Sequence, residues 1–184
     1  MSGLHILGSI MGASDFSEGS GLYCTYKFET GLDKEIDWQI LGGSCEGTTH
    51  VDARGVGGAD TVWDQSIDVH YAVSSLVGWP RLKVKVWRRD EHGSNIFCGH
   101  GYCNCPMSPG SYDMDIVTWR PIGSFSEKLK SFFLGARPQL KNDSIISYTK
   151  GEGRFGLKSV GSGVVYVHLE VVLSGGFAQH GVVM

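Results

Sequence analysis

Residues 78–101 constrain the fold most, because they combine a strand-like alternation with a short polar turn. Between Leu82 and Val86, apolar residues alternate with basic ones. This period of two predicts a strand with one apolar and one solvated face. The segment 90–95 is polar and contains a glycine, and apolar residues resume at 96–98. We therefore predict a β-hairpin around which further strands assemble.

Short β-prone runs continue along the chain, and the longest is Gly163–Leu173, which we expect to be a central strand. The 27 glycines suit turns between short strands, and no alternation of strands with helices is visible. We predict an all-β fold, an antiparallel β-sandwich of about eight strands. It should form a single domain over residues 1–184, with its core at about 3–174.

One short helix is expected at 124–134, docked on the sandwich. Ser124 and Glu127 form a capping box, in which each side chain can satisfy a free amide at the helix start. Gly135 is a natural stop and Pro138 prevents continuation.

The charge and the apolar runs exclude several classes of protein. With 16 basic and 19 acidic residues the net charge is −3, which does not favour a nucleic-acid partner. No apolar run approaches the roughly 20 residues that span a bilayer, and Met1–Ile6 lacks the basic region of a secretory signal. We expect a soluble cytoplasmic protein whose five cysteines are free thiols in or near the core.

A possible metal site is the cluster of Cys98, Cys103 and Cys105 with His100. Structural zinc usually takes four Cys or His ligands and a wider knuckle spacing, so we favour buried thiols over zinc. No nucleophile elbow, protease signature or phosphate loop is present. We predict no enzyme activity, no catalytic residue, no cofactor and no metal.

Candidate interaction residues are concentrated on the first hairpin strand. A basic stripe is predicted from Arg81, Lys83, Lys85, Arg88 and Arg89. It could meet anionic lipid or an acidic partner subunit, or be no more than a solvated strand face. Trp119 with Arg120 is our candidate for an interface anchor, because aromatic and Arg side chains dominate binding hot spots.

The hairpin resembles the corresponding strands of C2 domains, the calcium- and lipid-binding β-sandwiches. Their apolar strand ends in Val-Trp-Asp with a second Asp two residues on, and the return strand begins Asp-Phe. Here Arg88 and Ile96 stand where two of those carboxylates would be, and only Asp90 remains. Calcium takes six to eight oxygen ligands, so we predict no calcium site.

The whole chain resembles the B9-domain family, a ciliary branch of C2-like sandwiches. Six blocks carry this resemblance in order along the chain: Ile6–Ser14 with Phe16–Glu18, Ile67–Ala72, Gly78–Leu82, Thr118–Ser124, Pro138–Leu140 and Val167–Glu170.

The resemblance implies a non-enzymatic structural subunit needed for ciliogenesis and for gating ciliary membrane proteins. The implied location is the cytoplasm and cytoskeleton at the basal body and transition zone of the cilium. The implied partners are B9 domain-containing protein 1 and the Meckel syndrome type 1 protein, within a complex that includes tectonics and meckelin. The alternative is a calcium-independent module that binds anionic phospholipid.

Overall fold

A computed structural model describes residues 2–17, 20–31, 38–52, 60–121 and 159–177. Nine β-strands lie within these ranges: β1 Ser2–Ser14, β2 Leu22–Glu29, β3 Trp38–Gly43, β4 Glu46–Thr48, β5 Thr61–Val73, β6 Arg81–Arg89, β7 Asn95–Asn104, β8 Gly110–Pro121 and β9 Ser159–Ser174. The helix predicted at 124–134 falls outside the described residues. Within them, no helix has the length and apolar character needed to cross a membrane.

All strand pairs are antiparallel, and the strands form one sheet in the order β3-β5-β1-β9-β8-β7-β6-β2-β4. Strands β8 and β7 are joined by a single residue pair, His100 with Trp119. This thin seam separates a five-strand half (β3, β5, β1, β9, β8) from a four-strand half (β7, β6, β2, β4). The predicted antiparallel sandwich is confirmed, with its two layers formed by one curled sheet. The run predicted as a central strand is β9, which lies between β1 and β8.

The predicted hairpin is β6 with β7, and its turn is held by one carboxylate. Asp90 Oδ1 accepts hydrogen bonds from the backbone N–H groups of His92 at 2.9 Å and Ser94 at 2.7 Å. Gly93 takes a φ of 79°, a conformation that favours glycine. Residues pair in register from Arg81 to Arg89 except for a bulge at Cys98, which has no partner in β6.

The core lies between the two halves and contains the inward side chains of both. Leu82, Val84 and Val86 are buried as the alternation predicts. Two side chains cross the interior: the Trp63 indole donates to the Leu22 carbonyl at 3.2 Å, and the Tyr26 hydroxyl donates to Ser66 O at 3.3 Å. These bonds fix how the halves face each other.

One end of the sandwich is closed by an aromatic cluster around Trp79. Its ring packs edge-on against Trp38 at 5.4 Å and Phe177 at 6.4 Å. The preceding Gly78 has a φ of 77°, and a Cβ there would lie 2.3 Å from the Cα of Gly31. Phe177 is fully buried, which shows that the chain continues to contribute to the core after β9.

We expect Trp63→Ala to lower the free energy of unfolding by about 3–5 kcal/mol, because it removes a large core side chain and a cross-layer hydrogen bond. Trp63→Phe should cost less, about 1–2 kcal/mol, since most of the volume remains. Urea unfolding measures both. The control Val117→Thr changes an exposed strand position and should stay within about 0.5 kcal/mol. Equal effects at the two positions would contradict this account of the core.

Candidate functional site

Basic side chains gather on the outer surface of β2 and β6. Lys27 is directly opposite Lys83, and Thr25 is opposite Lys85, so these side chains share one side of the sheet. We call this surface the basic face, and it comprises Lys27, Arg81, Lys83 and Lys85. It lies on the side of β6 opposite to the core residues Leu82, Val84 and Val86.

Lys83 is buried, which the sequence did not predict. Only 7% of the residue is exposed, and its Nζ lies 2.7 Å from Glu29 Oε1. A buried ammonium needs such a partner, because the loss of its hydration is costly. The expectation of a solvated strand face is therefore wrong at Lys83, whereas Lys85 and Arg81 are half-buried.

The five residues of the predicted basic stripe do not all lie on the same side of β6. Arg89 is exposed. It lies four positions after Lys85 in the same strand, so the two side chains are on the same side of β6. Arg88 is paired opposite Leu22 and Ile96, so it lies on the core side of β6 at the end of the sandwich. The prediction that Arg88 shares a stripe with the other four residues is wrong, because adjacent residues of a strand point to opposite sides.

The basic face contains a polar cleft with a volume of about 400 Å³. Strands β2, β4 and β6 line it with Thr25, Tyr26, Lys27, Glu29, Glu46, Gly47, Thr48, Lys83 and Lys85. Lys27 Nζ lies 3.0 Å from Glu46 Oε2, and this contact raises the pKa of Lys27. Ammonium and hydroxyl donors in one cleft suit a ligand with anionic oxygens. Glu46 and Glu29, however, already pair with two of the lysines, Lys27 and Lys83.

Trp119 and Arg120 lie at the end of β8, beside the seam. The Trp119 ring is edge-on to the buried His100 ring, with centroids 4.0 Å apart. The adjacent Thr118 hydroxyl donates to the Gly163 carbonyl at 2.8 Å. Trp119 thus helps to join the two halves, and its role with Arg120 as an interface anchor stays a prediction.

The cysteines behave as core residues. Cys98 and Cys105 are buried, and all five cysteines are free thiols. Burial raises the pKa of Cys103 to about 12 and also raises that of Cys105, so these thiols stay protonated at neutral pH and are poor nucleophiles. In the part of the chain that the structure describes, no three His, Cys, Asp or Glu side chains are grouped to hold a metal ion.

Histidine–carboxylate pairs occupy the opposite outer surface and were not anticipated. His168 Nδ1 lies 2.7 Å from Asp113 Oδ1, with Glu170 Oε1 3.8 Å from its other ring nitrogen. His5 Nε2 lies 2.8 Å from Asp68 Oδ1. These pairs depend on the register of strands far apart in sequence, so no local pattern could have revealed them.

The hydrogen bond to Asp113 raises the pKa of His168 above its ordinary value of 6.5. Protonated His168 therefore stabilises the fold at pH values below 6.5, and this contribution is lost as the pH rises through the folded-state pKa. We expect Asp113→Asn to lower the pKa of His168 and to weaken this pH dependence. NMR titration of the imidazole checks the shift, with His92 in the β6–β7 turn as internal control. An unchanged His168 titration would contradict the pairing.

Comparison with known proteins identifies the family. A sequence model of B9-C2, described as "Ciliary basal body-associated, B9 protein", matches residues 4–172. B9 domain-containing protein 2 of Bos taurus is 40% identical over 174 residues, covering 94% of both chains. The Homo sapiens protein of that name is 39% identical over 183 residues, covering 99% of both. B9 domain-containing protein 1 of Xenopus laevis is 29% identical over 171 residues, covering 92% of this chain and 83% of the relative.

Among solved structures, a C2 domain of plant extended synaptotagmin 1 matches with a TM-score of 0.45 and 11% identity, covering 95% of this chain and 97% of that one. The names of the relatives in sequence are those of B9 domain proteins and indicate no enzyme family. The family predicted from the six sequence blocks is confirmed: the chain belongs to the B9-C2 family of ciliary basal body-associated proteins.

Proposed function

We propose that this chain is a non-enzymatic structural subunit of a ciliary transition-zone complex, acting by assembly with paralogous B9 proteins. The observation that carries this proposal is the 40% identity to B9 domain-containing protein 2 across 94% of both chains. Similarity of that extent, without large gaps in coverage, favours retention of the same fold and surfaces. The subunit acts as a single domain with its core at about residues 3–174.

The proposed partners are B9 domain-containing protein 1 and the Meckel syndrome type 1 protein, with tectonics and meckelin in the wider complex. The Xenopus protein that bears the first of these names is a homologue of this chain. The chemistry of the surface supports a binding role, because the described cysteines are buried or half-buried and most charged groups of β6 and β8, Arg88 excepted, lie on the outer sides of the sheet. Assembly at the transition zone would serve ciliogenesis and the gating of ciliary membrane proteins.

We expect the purified chain to elute as a complex when mixed with B9 domain-containing protein 1 and the Meckel syndrome type 1 protein of the same organism. Size-exclusion chromatography with light scattering measures the mass of the complex. Trp63→Ala, which should destabilise the fold, is the negative control. A chain that remains monomeric in the presence of both proteins would remove the basis of this proposal.

A second candidate function is calcium-independent binding of anionic phospholipid through the basic face. The cleft with Lys27, Lys83 and Lys85 favours it, since each basic residue near an anionic surface contributes on the order of 1 kcal/mol. Lys83 is buried against Glu29. Exposed Lys27, although paired with Glu46, and half-buried Lys85 would therefore supply most of the attraction.

We expect binding to anionic vesicles to be lost in the double variant Lys27→Glu/Lys85→Glu. Flotation of vesicles with and without phosphatidylserine measures binding, with added chelator to exclude calcium. The matched control Asp113→Asn/Asp115→Asn alters charges on the other half of the sheet. Binding that survives the lysine reversals would rule out this face as the lipid site.

A further inference from the structure

The outer surface of the five-strand half carries a group of carboxylates and histidines that the proposed function does not yet use. Its members are Asp68, Asp113, Asp115 and Glu170 with His5, His70 and His168, and we call this surface the acidic face. Pairing across strands places them on one side of the sheet. Asp68 in β5 is opposite Leu7 in β1, and Leu7 is opposite Glu170 in β9. Glu170 is in turn opposite Ser111 in β8. Asp113 is opposite His168, which is opposite Ser9.

The two halves of the sheet have opposite charge. Strands β3, β5, β1, β9 and β8 contain five carboxylates and one cationic residue, Arg120 at the end of β8. Strands β7, β6, β2 and β4 contain six Lys or Arg residues and two carboxylates. Within the described strands, the two halves of the sheet therefore carry charge of opposite sign.

The carboxylates on the acidic face have little cationic compensation. Among the ion pairs of the described residues, Asp68 pairs only with His5 and Asp113 only with His168. Neither of these two carboxylates pairs with a Lys or Arg side chain among the described residues. Asp115 forms no ion pair in this part of the chain. The described side chains of this surface are therefore mainly acidic, which favours a cationic partner over an anionic membrane.

Exposed apolar side chains lie among these charges. Val117 is 68% exposed, Val62 53% and Val172 48%. Val117 is directly opposite Val164 in β9, and Val172 is opposite His5 in β1. Apolar patches beside charged groups are typical of the surfaces that other proteins bind, where the patches exclude water and the charges provide specificity.

We propose that the acidic face is the docking site for a Lys- and Arg-rich surface of a partner protein. This inference rests on the proposed function, in which the chain assembles with a B9 paralogue, and it assigns one side of the sandwich to that contact. A basic protein surface satisfies the carboxylates by charge-assisted hydrogen bonds while covering the exposed valines. Lipid does not fit here, because an anionic headgroup would be repelled. The assembly therefore leaves the basic face free to point elsewhere.

The test measures binding of B9 domain-containing protein 1 from the same organism by biolayer interferometry. The variant Asp113→Lys/Asp115→Lys reverses two exposed charges at strand positions that do not face the core. We expect its affinity to fall about 10–100-fold, mainly through slower association, and the loss to shrink at high salt. As a matched control, the single variants Asp115→Lys, on this face, and Glu91→Lys, in the exposed β6–β7 turn, make the same change in net charge. Thermal melting confirms that all three variants are folded.

The outcomes separate this inference from the proposed function. If the wild-type chain does not bind the paralogue, the proposed function fails, and this inference falls with it. If the wild-type chain binds but the acidic-face variant binds equally well, assembly stands and the docking site is wrong. The docking site is equally wrong if Glu91→Lys loses as much affinity as Asp115→Lys. Loss confined to the acidic-face variants supports it.

Discussion

The Trp63 indole reaches across the interior from β5 to the Leu22 carbonyl in β2, where it ties together two strands that never pair in the sheet. Strands β8 and β7 share only the His100–Trp119 pair, so ladder hydrogen bonds alone hold the halves weakly. The common apolar interior must supply most of the closure. Because closure turns one side of every strand inward, it also decides which side chains remain outside and available to partners.

Gly78, Trp79 and Trp119, which lie in two of the six sequence blocks that carry the family resemblance, have mainly a structural role. Gly78 fits against Gly31 where no Cβ could be placed, and Trp79 closes one end of the core. Trp119, in the Thr118–Ser124 block, packs on His100 at the seam. Binding specificity must then come from the outer surfaces, where substitutions alter charge without disturbing the packing.

Curling gives this sandwich two outer sides with different chemistry. The basic face has its lysines partly neutralised by glutamates, as in the Lys83–Glu29 pair. The acidic face has carboxylates balanced mainly by histidines, as in the Asp113–His168 pair. A domain with opposite charges on its two sides can join two different neighbours at once, and it resists binding either neighbour in the wrong orientation. This property suits the proposed role in assembly.

The amino-acid sequence alone determined the all-β fold class, the β6–β7 hairpin, the central strand and the family, because alternation along a strand and turn chemistry are local properties. It also determined the absence of calcium carboxylates at Arg88 and Ile96. Tertiary structure decided that Lys83 is buried against Glu29 and that His168 meets Asp113. Those contacts join strands separated by up to 55 positions, and a shift of one residue in register would send each side chain to the other side of the sheet.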